Sequence, residues 1–345
     1  MKPFVVLHAA CIGLALALAG CGPASEAGAA LESSSQGPPL VLQAGSSMPV
    51  LLRQMQRAPL TTSYQGVRRV EQYWKIDKFR QTTVYREQVS ADGTGQYTIE
   101  PLELVEPVVT PSELAVWLAL QQSREGFLFR YRDLAVRDVP TFARNYSLLR
   151  LGTSAIVAGR DCEELVVQRR TNAKSLYTLA VDRETGLVLR CREETVEGAL
   201  LGLMEFESID FAPAFVPAPP WHNASNDEVA LPAGPAGTQL LGFEPLLPDT
   251  DGDKFVLLET TKLTSLHPSG SGTITWAKAV LTDGLEVVVF LHAGADPNPP
   301  ADDVMRVSPS VGPWSHVEGT LHGERVMAIG RVSAPDLLDL MESAL

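Results

Sequence analysis

Imidazoles, thiols and clustered carboxylates are the side chains through which this chain could do chemistry, and their spacing limits what that chemistry is. Five of the six histidines lie beyond residue 20: His222, His267, His292, His316 and His322. None forms an HExxH pair or sits beside a nucleophile pattern that would make an imidazole a base or a ligand. His316 and His322 are close in sequence, but no cysteine or third ligand accompanies them, so both read as solvated loop residues and no metal site is expected. Gly152-Thr153-Ser154-Ala155 lacks the GxSxG pattern of a nucleophile elbow, and no phosphate loop of the form GxxxxGKS or GxxxxGKT occurs. Asp249-Thr250-Asp251-Gly252-Asp253 has the acid density of a calcium loop. Lys254 and Thr260 stand where such a loop needs Gly and Glu, so it reads as an acidic turn. The neighbours Glu163 and Glu164, like Glu193 and Glu194, fall on opposite faces of their strands and define no acid–base pair. No catalytic, cofactor or metal residue is assigned, and the chain reads as a non-enzymatic binding protein.

The thiol placed for a covalent reaction is Cys21. An apolar run begins at Phe4 after the single cation Lys2, and it is too short to span a bilayer, as expected of the central region of an export signal. It closes on Leu18-Ala19-Gly20-Cys21, which resembles the lipobox of bacterial lipoproteins. That resemblance implies cleavage after Gly20 and a diacylglycerol on the Cys21 sulfur, which makes residues 1–20 a lipoprotein signal peptide. Gly22, where an Asp would hold the protein at the inner membrane, implies the outer membrane in preference, with the body facing the periplasm. Residues 21–46 are rich in Gly, Ala, Ser and Pro and read as a flexible tether with a reach of roughly 28 Å. No later stretch is apolar and long enough to cross a membrane. The net charge of −13 argues against nucleic acid and against anionic membrane surfaces, so attachment has to come from the lipid.

The elements that must position any site follow from periodicity. A short helix is expected from Ser47, with Pro49 in its first turn, Leu51, Met55 and Ala58 on one face, and Pro59 as its stop. Strands are expected near 61–76, 79–90 and 95–105, with Asp92-Gly93 as a turn. Thr110-Pro111-Ser112-Glu113 is a capping box that opens an amphipathic helix through Leu114, Trp117, Leu118 and Gln121, with Trp117 as core. Further strands are expected at 146–152, 154–159, 162–170, 175–182, 187–196 and 200–211, with Gly186 supplying a positive φ in the turn Arg183–Gly186. This defines a first domain over 47–211. A Pro-, Ala- and Gly-rich linker covers 212–239, and its Asn223-Ala224-Ser225 sequon is taken as chance. A second, smaller α+β domain covers 240–345, with strands at 255–261, 272–281, 285–292 and 324–332, a hairpin turn at Asp283-Gly284, and a last helix capped by Ser333. Cys162 and Cys191 fall on strands separated by a third, roughly 10 Å apart, which favours two free thiols over a disulfide.

Several of these segments resemble the MucB/RseB family of periplasmic regulators of envelope-stress sigma factors. In the first domain they are Tyr64-Gln65-Gly66, Val157-Ala158-Gly159-Arg160 and the run from Tyr177 to Arg190. In the second they are Thr282-Asp283-Gly284-Leu285 with Phe290, and the ending from Ile329-Gly330-Arg331-Val332 to Ser343. The Asp182-x-x-Thr185-Gly186-Leu187 turn is also similar to carriers of the LolA/LolB type. The resemblance implies a LolA-like first domain, a curved antiparallel sheet or half-barrel closed by helices, that takes acyl-chain or lipoprotein ligands. It implies a second domain that grips an anti-sigma factor. The alternative is a LolB-like carrier or acceptor of lipoproteins or lipids, itself a lipoprotein, although such carriers lack a second domain.

Overall fold

The structure is a computed structural model that describes residues 48–76, 79–107, 110, 133–171, 175–219, 221, 228–250, 254–266, 273–295, 305–311 and 314–344. The Cys21 lipidation site, the tether, Ser47, and the helix expected after Thr110 with its Trp117 lie outside the described residues.

The chain enters through α1 (Met48–Thr61), which buries Leu51, Leu52, Met55 and Ala58 on one face. Pro59 does not stop it at once. A proline forfeits only its own N–H bond and crowds one preceding carbonyl, so the last turn still closes, with Thr62 donating to the Ala58 carbonyl at 3.0 Å. Strands β1 (Ser63–Ile76), β2 (Phe79–Asp92) and β3 (Tyr97–Glu106) form a meander. Asp92 turns the second corner, accepting from the Thr94 and Gln96 amides at 2.7 and 3.0 Å.

After Asp133 the chain runs through a short helix, α2 (Val139–Asn145), into a second meander. It consists of β4 (Tyr146–Val157), β5 (Arg160–Arg169), β6 (Ser175–Asp182), β7 (Val188–Thr195) and β8 (Leu200–Asp210). The separately expected 146–152 and 154–159 are one strand with an irregular register between Arg150 and Ser154. β8 then pairs antiparallel with β1, giving an eight-stranded sheet in the order β3-β2-β1-β8-β7-β6-β5-β4.

That order corrects the expected fold. The sheet is not curled into a half-barrel. β3 and β4 end it as separate edges, and no pairing joins them in the staggered, tilted register that closure needs. Helices lie against it, but the architecture is α+β with two large antiparallel sheets and, among the described residues, few helices.

The second sheet is also larger than expected. It has seven strands in the order β13-β14-β15-β12-β11-β10-β9. Its edge strand β9 (Glu228–Ala230) and the start of the short helix α3 (Pro235–Leu241) fall in the stretch expected to be linker. β10 (Val256–Leu266), β11 (Thr273–Thr282) and β12 (Val287–Ala295) follow, then β13 (Met305–Val311), β14 (Trp314–Leu321) and β15 (Glu324–Gly330). β13 and β14 were not expected because Pro309 and Gly312-Pro313 break the alternation that marks a strand.

α4 (Ala334–Glu342) closes the chain, with the Ser333 hydroxyl accepting from the Asp336 amide as expected. Its Leu337, Leu340 and Met341 cover one face of the sheet, over Leu281, Phe290 and Val326. A buried ion pair, Lys278 to Glu228 at 2.6 Å, fastens β9 across the intervening strand.

Candidate functional site

The site grows out of one tight turn. β11 and β12 are joined by Asp283-Gly284-Leu285-Glu286, and the side chains of the turn build its shape. The Asp283 carboxylate accepts from the Leu285 and Glu286 amides at 3.2 and 2.9 Å. Thr282 donates its hydroxyl to the Glu286 carbonyl at 2.7 Å. Gly284 has φ +101°, and a Cβ there would lie 2.2 Å from the Phe142 nitrogen. Only glycine fits that approach.

The turn belongs to the second sheet by sequence and to the first by packing. Leu285 is buried among Phe142, Tyr146, Leu165 and Leu179 of the first sheet's core. The Arg137 amide donates to the Gly284 carbonyl at 2.9 Å, and the Asn145 side-chain amide donates to the Asp283 carbonyl at 2.9 Å and the Lys254 carbonyl at 3.0 Å. The fully buried Asp283 carboxylate is ion-paired with Arg169 and accepts from the Tyr146 hydroxyl at 2.8 Å.

A second set of contacts lies beside the first. Tyr177 on β6 donates to Glu286 Oε1 at 2.7 Å. Arg331, just after β15, reaches Glu193 on β7 at 2.8 Å and lies 3.3 Å from Glu286 Oε2. Burial pushes the Glu286 carboxyl up to about 7, against the pull of Arg331. Burial also raises the Tyr177 phenol, with the Glu286 charge acting in the same direction. A cleft of about 130 Å³ remains, lined by Tyr146, Arg169, Tyr177, Glu286, Arg331 and Ser333 among others. It is small against the roughly 300–1,000 Å³ of ordinary ligand sites and is walled by charges and hydroxyls, so it does not suit an acyl chain. Such an arrangement fixes two sheets together and links their docking to charge.

Of the residues singled out from sequence, Asp283-Gly284, Glu193 and Ser333 come together here, and the described histidines do not. His292 is fully buried on β12, where its Nδ1 accepts from the Leu246 amide at 3.0 Å and its Nε2 meets Glu324 at 2.8 Å. Burial lowers its pKa, with Glu324 opposing. His316 sits on β14 and not in a loop, while His322 turns the β14–β15 hairpin with φ +53°. His222, His267 and residues 251–253 of the acidic turn lie outside the described residues. Cys162 and Cys191 are free and buried, and burial pushes their thiols up to about 11 and about 12. Among the described residues no group of three or more His, Cys, Asp or Glu could hold a metal ion. The inter-sheet roles of Arg169, Tyr177, Glu193 and Arg331 were missed, since each reads locally as an ordinary strand residue.

The MucB/RseB N-terminal domain model matches residues 47–230. A search of curated proteins finds no match. Among solved structures, the MucA/MucB complex of Pseudomonas aeruginosa is 18% identical, with 86% of this chain and 96% of the other covered and a TM-score of 0.45. A structure of MucB in complex with MucA(peri) is 17% identical at the same coverages, with a TM-score of 0.44. One of MucB alone is 16% identical, with 87% and 98% covered and a TM-score of 0.45. The family assignment rests on the family model alone, which spans more than half of the chain. This chain belongs to the MucB/RseB family. Its members are non-enzymatic, and so is this chain.

Proposed function

We propose that this chain is a lipid-anchored envelope regulator that binds the periplasmic segment of a membrane-spanning anti-sigma factor and so tunes envelope-stress signalling. The observation that carries this reading is the family match over residues 47–230. The partner is suggested by a solved relative, a complex of MucB with MucA. The lipid anchor is suggested by Leu18-Ala19-Gly20-Cys21 at the end of the apolar run. Gly22 favours the outer membrane over the inner. In this reading the family's lipid-type ligands act as the signal that relieves the grip. The carrier alternative loses its architectural support, because the first sheet is not curled into a half-barrel.

The test is photo-crosslinking from the full-length protein in its own envelope, with identification of the captured species. Recovery of a single-pass membrane protein with a cytoplasmic sigma-binding segment supports the regulator. Recovery of assorted lipoproteins and no such protein overturns it. Metabolic labelling with a radioactive fatty acid, retained by wild type and lost by Cys21→Ser, tests the anchor. Equal labelling of the two would refute it.

A further inference from the structure

The junction between the sheets holds more negative than positive charge, with Asp283 and Glu286 buried and Glu193, Arg169 and Arg331 partly exposed. Three carboxylates, Asp283, Glu286 and Glu193, face two guanidiniums, Arg169 and Arg331. Arg169 is committed to Asp283. Arg331 is divided, with one nitrogen 2.8 Å from Glu193 and another 3.3 Å from Glu286. Among the described residues, the other titratable groups around Glu286 supply no further cation. Tyr177 donates to it from β6, and Cys191 lies in its field on β7. Tyr146 is bonded to Asp283, and Asp336 at the start of α4 is held by Lys254 at 2.6 Å. His292 faces Leu246 and Glu324 inside the second sheet and not this junction.

The pairs that matter cross from one sheet to the other. Arg169, Tyr177 and Glu193 come from the first, and Asp283, Glu286 and Arg331 from the second. The excess charge is therefore buried only when the sheets are docked. An uncompensated buried charge is costly, and taking up a proton removes it.

We propose that docking of the two sheets takes up one proton, held on the Glu286 carboxyl, so that the junction is tight in mild acid and loosens as the pH rises through neutrality. The neutral carboxyl keeps its contact with Tyr177, since a phenol both donates and accepts. Arg331 is then left to Glu193.

The sign follows from linkage. Docked, Glu286 stands at about 7 against an ordinary 4.5. Between those values the separated form has already lost the proton that the docked form keeps. The docking constant then falls about tenfold per pH unit as the pH rises through the window, and levels off on either side. In an envelope compartment open to external acid, this would couple the relative placement of the sheets to ambient pH. The device does not depend on which partner the protein binds.

Spin labels on Ile156→Cys and Val307→Cys, exposed residues of the two sheets, report the docking in the full chain. The buried native thiols, with raised pKa values, compete poorly for label. The quantity read is the urea concentration at which the native inter-label distance is half lost, at pH 5.5 and pH 8.5. Wild type is expected to separate at lower urea at pH 8.5, and Glu286→Gln to lose that difference. Glu193→Gln, which frees Arg331 for Glu286, is expected to shrink it, and serves if Glu286→Gln fails to fold. Equal wild-type midpoints at the two pH values would overturn the proposal. So would an undiminished difference in both variants.

Discussion

Arg68, fully buried, and Arg331, partly buried, each face two carboxylates, and they do different work. Arg68 lies inside the first sheet. Its Nε donates to Glu87 at 2.7 Å and its two terminal nitrogens to Asp133 at 2.9 and 2.8 Å, so all three guanidinium nitrogens are engaged. Glu87 sits directly across from it on the neighbouring strand, and strand register alone sets that contact. Arg331 has its partners on two sheets, and only docking brings them together. A cluster within one sheet lasts as long as the sheet. A cluster between sheets can be opened and closed while both sheets stay folded.

The largest effect that would sharpen this contrast is expected from Arg68→Ala. Removing the cation from Glu87 on β2 and from Asp133 in the segment before α2 should cost about 3–5 kcal/mol and lower the global unfolding midpoint measured by circular dichroism in urea. A loss confined to inter-sheet distance would break the comparison. Leu285→Ala should cost about 2–5 kcal/mol through the cavity it leaves in the first sheet's core. Its signature differs, because separation of the sheets should precede loss of strand signal. Coincident transitions by both probes would mean that the turn is not a separable plug.

Acid sharpens the contrast further. His292 is held neutral by burial, with a pKa below its ordinary 6.5. Below that value the unfolded chain takes up a proton that the folded chain does not, so stability of the second sheet falls as the pH drops. A protonated imidazole also has no lone pair left for the Leu246 amide. His292→Gln offers an acceptor and a donor of similar reach, and should flatten the fall in thermal midpoint below pH 6.5. An unchanged slope would assign the acid response elsewhere. This dependence runs opposite to that of Glu286, where acid tightens docking. The smallest effect is expected from Arg86→Ala on the exposed face, whose partners Glu103 and Glu207 stay in water. Its midpoint should match wild type, and a clear drop would show that the outer charge ladder carries stability.

Much of the local structure was legible because its causes lie within a few residues. The Asp182 carboxylate accepts from the Glu184 and Thr185 amides at 3.1 and 2.8 Å, and Gly186 takes the positive φ that the turn requires. Ser333 caps α4, and the two cysteines fall on strands that flank β6. The site was only half legible. Asp283-Gly284 could be read as a hairpin, but nothing in its neighbourhood says that the turn plugs another sheet.

The sequence by itself determined where most strands, turns and caps form, because alternation, φ preferences and capping hydrogen bonds act between near neighbours. Tertiary structure alone decided that β1 pairs with β8, that the first sheet stays open with β3 and β4 as edges, and that seven strands make the second. It also decided that Glu286 is buried against Tyr177, Glu193 and Arg331 and not left in water. Those outcomes depend on surfaces more than a hundred residues apart in the chain meeting with matched shape and charge, and no local pattern encodes such a meeting.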